Sequence, residues 1–353
     1  MTTFTAAVVQ AAPVVFDAAR TLDKLGDLAA DAARRGANLV VFPEAFVSAY
    51  PKGLDFGARV GMRAPEGRDE FRRYFDSSIE VPGPTTDQIG AATRAGGLHL
   101  VVGVIERGGG TLYCTALTFG PDGTLLAKHR KLMPTAMERL VWGFGDGSTI
   151  SVADTPLGCI GTVICWENYM PMLRMAMYAK GVQLYCAPTA DDRDTWLPTM
   201  QHVALEGRCF VFSACQYLTR SDCSSEYAAI HGDDPKAVLM RGGSCIVGPS
   251  AACSPAPTSR ARQFSRPRST PTRLPGAGTI STSSAITPGP TSSACTSMSG
   301  RCRRWSRPCL PRPIRSTKAE RLAARRPAVP PPIARGRWRR RLRSSAGRSP
   351  WRD

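Results

Sequence analysis

Three chemically able side chains stand where short apolar runs end. Cys165 follows Gly158-Cys159-Ile160-Gly161-Thr162-Val163-Ile164, a run that reads as a buried strand. Glu44 follows Leu39-Val40-Val41-Phe42-Pro43, and Lys131 closes the basic segment His129-Arg130-Lys131 ahead of Leu132-Met133-Pro134. A thiol, a carboxylate and an ammonium are the parts needed for attack on a weak carbon electrophile. The thiolate attacks, the carboxylate takes its proton, and the cation stabilises the charge that develops. Each residue alone has an ordinary reading. Free cysteine packs as a small hydrophobe, an acid after proline suits a surface turn, and lysine is normally solvated. Their shared placement at strand exits argues otherwise, because strand ends of an α/β sheet gather on one edge, where ligands bind.

The elements that must position them alternate strand and helix. Strands are predicted over residues 4–11, 39–42, 98–105, 111–120, 125–128, 158–164, 183–187, 209–214 and 243–247. Helices are predicted over 17–35, 87–95, 171–180 and 195–206. The first helix carries Leu22, Leu25, Leu28, Ala29 and Ala32 on one face and stops at Gly36. Pro121-Asp122-Gly123 turns one strand into the next. This alternation predicts a layered α/β architecture.

At the level of motifs, Phe42-Pro43-Glu44, His129-Arg130-Lys131-Leu132-Met133-Pro134-Thr135 and Cys165-Trp166-Glu167-Asn168 resemble the three catalytic blocks of the carbon–nitrogen hydrolase (nitrilase) superfamily. Three longer stretches resemble its nitrilase branch: Ala45-Phe46-Val47-Ser48-Ala49-Tyr50-Pro51-Lys52-Gly53, the loop from Glu138 to Ser148, and Cys165-Trp166-Glu167-Asn168-Tyr169-Met170-Pro171. The resemblance covers about residues 4 to 250. It implies a four-layer α-β-β-α sandwich and hydrolysis of a small-molecule nitrile by water to the acid and ammonia, with no cofactor and no metal. It implies Cys165 as nucleophile, Glu44 as general base and Lys131 as stabiliser of the tetrahedral intermediates, with a backbone N–H near Trp166. Glu138 matches a further family glutamate, expected to support Lys131 and position water; its ordinary reading is a surface pair with Arg139. Tyr50, Trp142 and Trp166 are expected to line the pocket, although aromatic residues are more often core. His129 and His202 are expected to be structural, and Glu167 to cap or brace the loop after the nucleophile. An amidase or carbamoylase with the same Glu-Lys-Cys triad is the alternative activity, and release of amide is a further outcome. Family members commonly form homo-oligomers.

Composition divides the chain. Of 46 Lys and Arg, 23 lie beyond Ser250 with only two of the 28 acids, Glu320 and Asp353, so residues 251–353 carry +21. The first 250 residues keep 23 bases and 26 acids, a net −3. They read as one ordinary hydrolase domain with a sizeable core. The tail is rich in Arg, Pro and Ser without apolar periodicity, which predicts disorder; a nucleic-acid-binding arm is the functional alternative. A third reading explains more. In GC-rich codons shifted by one base, residues 251–257 allow Gly-Arg-Val-Leu-Ala-Gly-Pro, and residues 287–296 allow Tyr-Ala-Arg-Pro-Asp-Val-Phe-Ser-Leu-His. Both resemble continuations of a nitrilase, so the tail is expected to be an out-of-frame translation; an uninterrupted DNA frame across codon 251 with no downstream nitrilase reading frame would refute this. On this reading no nucleic-acid partner and no membrane are expected. The 12 cysteines show no metal-type or CxxC spacing; Cys159, Cys186, Cys209 and Cys245 lie in apolar runs as buried thiols. Without signal-peptide features at the N-terminus or an apolar span, the expected location is the cytoplasm.

Overall fold

The structure, a computed structural model, describes residues 2–227, 232, 234–255, 281–286 and 294–302. One compact unit spans Met1–Arg304, and Trp305–Asp353 form a second, which lies outside the described residues. In chain order the first half gives β1 (Thr2–Gln10), α1 (Ala18–Arg34), β2 (Leu39–Val41), the short hairpin β3 (Ala58–Arg59) and β4 (Met62–Arg63), α2 (Pro65–Asp76), α3 (Pro84–Gly96), β5 (His99–Gly108), β6 (Thr111–Phe119) and β7 (Leu125–Arg130). The second half gives β8 (Val152–Thr155), β9 (Gly158–Thr162), α4 (Pro171–Ala179), β10 (Leu184–Cys186), α5 (Trp196–Gly207), β11 (Phe210–Ser213), β12 (Tyr217–Thr219), β13 (Val238–Arg241), β14 (Cys245–Val247), β15 (Cys253–Pro255), β16 (Ser281–Ile286) and β17 (Ala294–Cys302). Two sheets dominate, in the orders β16-β17-β1-β2-β5-β6-β7 and β15-β14-β11-β10-β9-β8.

Strand alternation builds the four layers. Phe4, Ala6 and Val8 of β1, with Leu39, Val41 and Val101, meet Ile160, Leu184, Cys186, Phe212 and Ile246 of the other sheet in one buried cluster. Residues of opposite parity turn outward. Ala7, Val9, Val40, Leu100 and Val102 pack under Leu25, Ala29 and Ala32 of α1 and Ile89 of α3. Tyr185, Val211, Cys245 and Val247 pack under Leu173 and Met177 of α4 and Met200, Val203 and Ala204 of α5. Helices, sheet, sheet, helices is the expected α/β sandwich. Helix α1 forms where its apolar stripe predicts. Asp17 caps it by accepting from the Arg20 N–H at 2.9 Å, and Gly36 follows it with φ +79°.

The structure adds elements that periodicity did not predict. Helix α2 is charged over most of its surface, and its apolar face is short, Phe71, Tyr74 and Phe75 packing into one cluster of the core with only Gly67 and Tyr74 fully buried. Strand β8 and the pair β12–β13 are likewise additions. In the tail, expected to lack order, Cys253–Pro255, Ser281–Ile286 and Ala294–Cys302 are strands. Residues 256–280, 287–293 and 303–353 lie outside the described residues. Among the described residues, no helix is long and apolar enough to cross a membrane.

Candidate active site

Strand alternation delivers the lysine. Lys128 and Arg130 point to one face of β7 and share the buried Glu106 carboxylate, at 2.8 Å from Lys128 Nζ and 2.7 and 2.9 Å from the Arg130 guanidinium. His129 and Lys131 therefore turn to the other face. Lys131 is 1 % exposed, and a buried ammonium must be paired. Its Nζ donates to Glu44 Oε1 at 2.7 Å and to Glu138 Oε2 at 2.8 Å, with the Trp142 ring centroid 5.5 Å away. Burial opposes the charge. The Glu44 carboxylate, with Cys165, Cys114 and Glu138, more than offsets it and holds the Lys131 pKa well above the usual lysine value.

Glu44 is set by close backbone packing against β5. The Gly103 N–H donates to Pro43 O at 3.1 Å, and the Val47 N–H donates to Gly103 O at 3.1 Å. A Cβ at Gly103 would lie 2.5 Å from Pro43 O and Ala45 N and 2.6 Å from Glu44 Cα, so only glycine allows this approach. Ala45, Ser48 and Ala49 then take positive φ as the chain curls away. The Glu44 carboxylate is fully buried. Oε1 accepts from Lys131 and, at 3.4 Å, from Cys114 Sγ; Oε2 accepts from the Ala190 N–H at 2.9 Å. Gln216 Nε2 donates to Glu44 O at 2.8 Å. Burial raises the Glu44 pKa above its ordinary value; Lys131 pulls it down and Glu138 pushes it up, leaving a net rise.

Cys165 opens a short 3-10 turn, Cys165–Tyr169, just past β9. Its φ is +50°, an uncommon conformation for a residue with a Cβ, of the kind that clusters at functional sites. The turn is held from several sides. The Cys165 N–H donates to Pro188 O at 2.9 Å, and Asn168 Nδ2 donates to Cys165 O at 2.7 Å. The buried Glu167 carboxylate accepts from the Ile164 N–H at 2.8 Å, the Leu132 N–H at 2.6 Å and the His129 ring at 3.0 Å. One carboxylate thus ties the lysine segment to the cysteine turn, which is the bracing expected of Glu167 and the structural place expected of His129. Thr189 Oγ1 donates to Cys165 Sγ at 3.2 Å. Burial pushes the thiol pKa up, Glu44 adds to this, and Lys131 and Thr189 act in the other direction.

The remaining predicted residues divide. Glu138 pairs with Lys131 and accepts from Tyr50 OH at 2.8 Å; Arg139 instead donates to Pro134 O at 3.0 Å. Glu138 also accepts from the Thr135 N–H at 2.6 Å, closing a Thr-x-x-Glu capping box over the turn Ala136–Leu140. Trp142 is buried behind Lys131, edge-on to Tyr50, and donates to Tyr74 OH of α2 at 3.1 Å. Trp166 is 40 % exposed beside the nucleophile; Asp191 accepts its indole N–H at 2.8 Å, and the Arg193 guanidinium lies 4.6 Å from its ring centroid. His202 is on the surface, 3.6 Å from Glu206. Sequence reasoning missed Thr189, Ala190, Gly103 and Tyr74. Glycine inside an apolar strand was the available signal for Gly103. Thr189 and Ala190 reach the site only through tertiary contacts.

The family model for carbon-nitrogen hydrolases matches residues 5–262. This chain belongs to that family. It is 61 % identical over 249 residues to an aliphatic nitrilase of Sinorhizobium fredii (strain HH103), covering 70 % of this chain and 80 % of the relative. It is 55 % identical over 254 residues to a bifunctional nitrilase/nitrile hydratase of Nicotiana tabacum, covering 71 % and 73 %. Solved structures share its fold. A carbon-nitrogen hydrolase of Helicobacter pylori G27 aligns with TM-score 0.57 at 19 % identity, over 72 % of this chain and 86 % of that one. A mutant amidase of Nesterenkonia sp. AN1, with acrylamide added at its active-site cysteine, aligns with TM-score 0.55 at 20 % identity, over 71 % and 87 %.

Proposed function

We propose that this enzyme hydrolyses organic nitriles to carboxylic acids and ammonia, with Cys165 as nucleophile. The observation that carries the mechanism is the buried Lys131 ammonium clamped between Glu44 and Glu138 beside a cysteine on a left-handed turn. The likeness to nitrilase-named relatives at 61 and 55 % identity favours nitriles over amides as substrates; the amidase likeness is one of fold alone. Glu44 takes the Cys165 proton as Sγ bonds to the nitrile carbon and passes it to the nitrogen, giving a thioimidate and returning Glu44 to its ionised form. Lys131, with the Trp166 backbone N–H, stabilises the charge on nitrogen. Water, deprotonated by Glu44, adds to the same carbon. Breaking C–N releases ammonia and leaves a thioester. A second water then breaks C–S, releasing the acid and restoring the thiol. Glu138 holds Lys131 in line, Trp142 backs Lys131 from the core, and Tyr50 and Trp166 wall the approach.

Breaking C–S instead of C–N at the first tetrahedral intermediate releases an amide. The relatives named as bifunctional support a minor amide product. Exposed Met172 and Met175 of α4 and Leu205 of α5 support self-association. The buried free thiols suit the reducing cytoplasm.

The test is to measure ammonia, acid and amide from aliphatic and aromatic nitriles and their matching amides, beside Cys165→Ala. Nitrile turnover to acid, lost by at least about a thousandfold in the variant, is expected. Turnover of amides alone would move the enzyme to the amidase reading, and full activity of Cys165→Ala would remove Cys165 from the mechanism.

A further inference from the structure

The segment Pro188–Asp191 lies just beyond β10, outside the three motifs that resemble catalytic blocks, yet it touches both the nucleophile and the base. Pro188 O accepts the Cys165 N–H at 2.9 Å, and the Ala190 N–H donates to Glu44 Oε2 at 2.9 Å. Between them, the Thr189 side chain is wholly buried and its Oγ1 is 3.2 Å from Cys165 Sγ. The backbone is fixed on its far side, where the Thr189 N–H donates to Ala214 O at 2.9 Å. The hydroxyl itself is oriented. Oγ1 accepts the Asp191 N–H at 2.9 Å, and its single proton points to sulfur. Asp191 is in turn anchored by Trp166 Nε1 and by Arg193 at 2.8 and 2.6 Å.

We propose that Thr189 is a catalytic residue whose hydroxyl donates a hydrogen bond to the Cys165 sulfur and stabilises the thiolate each time it forms. This rests on Cys165 being the nucleophile. A neutral thiol accepts weakly, so the bond gains most when sulfur carries charge. Sulfur is charged twice per turnover. It is charged when Glu44 removes the proton and Sγ attacks, and again when the C–S bond of the thioester breaks and the electron pair returns to sulfur. Lys131 is already engaged by two carboxylates, so a second donor fixed on sulfur has a distinct role. The preorganised backbone on both sides means that the hydroxyl does not reorganise during reaction.

The test is alkylation of Cys165 by iodoacetamide across pH, read by mass spectrometry of the peptide that carries it, together with kcat/KM on a nitrile. Thr189→Val keeps the shape and removes the donor; Thr189→Ser keeps the donor. Expected is a fall of about ten- to a hundredfold in alkylation rate at pH 8 for Thr189→Val. Its rate curve should move to higher pH, with a parallel loss of kcat/KM. Thr189→Ser should stay within about threefold of the parent. Valine also removes the acceptor of the Asp191 N–H, so circular dichroism must show an intact fold. If valine does not fold, Thr189→Ala gives the same comparison. Parental alkylation in the donor-less variants, or equal impairment in Thr189→Ser, overturns the proposal. Alkylation needs no nitrile turnover, so an enzyme that proves to use amides would still report on Thr189.

Discussion

Strand β1 has two neighbours of different kinds. On one side β2 pairs in parallel over three residues, Ala6 with Leu39 through Val8 with Val41, and leads directly to Glu44. On the other side β17, from the Arg-, Pro- and Ser-rich tail, pairs antiparallel over nine residues, Thr2 with Cys302 through Gln10 with Ala294. The longer pairing is a ladder of backbone partners that ends at Gln10. A strand ladder uses only backbone N–H and C=O groups, so a chain without apolar alternation can still enter it. A catalytic site uses particular side chains held to a fraction of an ångström. Among the described residues, the side chains and backbone groups that reach Glu44, Lys131 and Cys165 from outside the Glu44 segment itself lie between Tyr50 and Gln216. The two sides of β1 therefore separate what supports the sheet from what performs the reaction, and each can be perturbed alone.

Short of removing Cys165 itself, the largest expected effect on the chemical side comes from Gly103→Ala. The new Cβ meets Pro43 O, Glu44 Cα and Ala45 N, all backbone atoms rather than the yielding end of a flexible side chain. Either β5 or the Glu44 segment must shift. A displacement of about 1 Å at a general base lowers kcat/KM by about a hundredfold. The overlap should also cost about 1–3 kcal/mol in urea unfolding. A variant with full activity would show that the segment tolerates the shift and that Glu44 is not held by this contact.

Glu138→Gln gives a smaller effect with a defined sign. Glu44 must be ionised to act as base, so activity falls on the acid side through a pKa that burial and Glu138 raise above the ordinary 4.5. Glutamine removes the like charge and frees Lys131 to favour Glu44 alone; both changes lower that pKa. The acid limb of kcat/KM against pH should move to lower pH, while kcat falls about tenfold through loss of the Lys131 and Tyr50 contacts. Lys131 stays charged throughout, its pKa being held above the usual lysine value. A limb that stays in place or moves to higher pH would mean that another group controls it.

These residues also mark how much could be read before the structure. Strand ends and motif likeness located Glu44, Lys131 and Cys165, and the parity of β7 explains why Lys131 rather than Arg130 turns inward. Helix α1, with one apolar face and an Asp cap, was legible for the same reason: its signal is local. Helix α2 was not read, although Phe71, Tyr74 and Phe75 recur at helical spacing; what could not be read is that Tyr74 steadies Trp142 from 68 residues away. Ala190 meets Glu44 across 146 residues, a contact with no pattern in sequence. Glu138 was assigned by likeness, although Thr135-Ala136-Met137-Glu138 also carries a capping-box signature that fixes its backbone.

The smallest expected effect on chemistry, and the sharpest test of the other side of β1, is Thr296→Pro. Thr296 pairs with Val8 inside β17, which lies between β16 and β1. Proline there removes a ladder hydrogen bond and is disfavoured in a non-edge strand. Stability should fall by about 1–3 kcal/mol, seen as a lower midpoint in urea, while kcat/KM of the folded protein at low temperature should stay close to that of the parent. The two readouts break the comparison in different ways. An unchanged midpoint would mean that β17 does not support β1 and that the sheet ends at β1 itself. A lost activity with an intact fold would mean that the tail bears on Glu44 through β1 and β2. Stability lost with activity retained is the result the pairing requires, because the bonds broken are backbone bonds and Val8 faces the opposite sheet rather than the site.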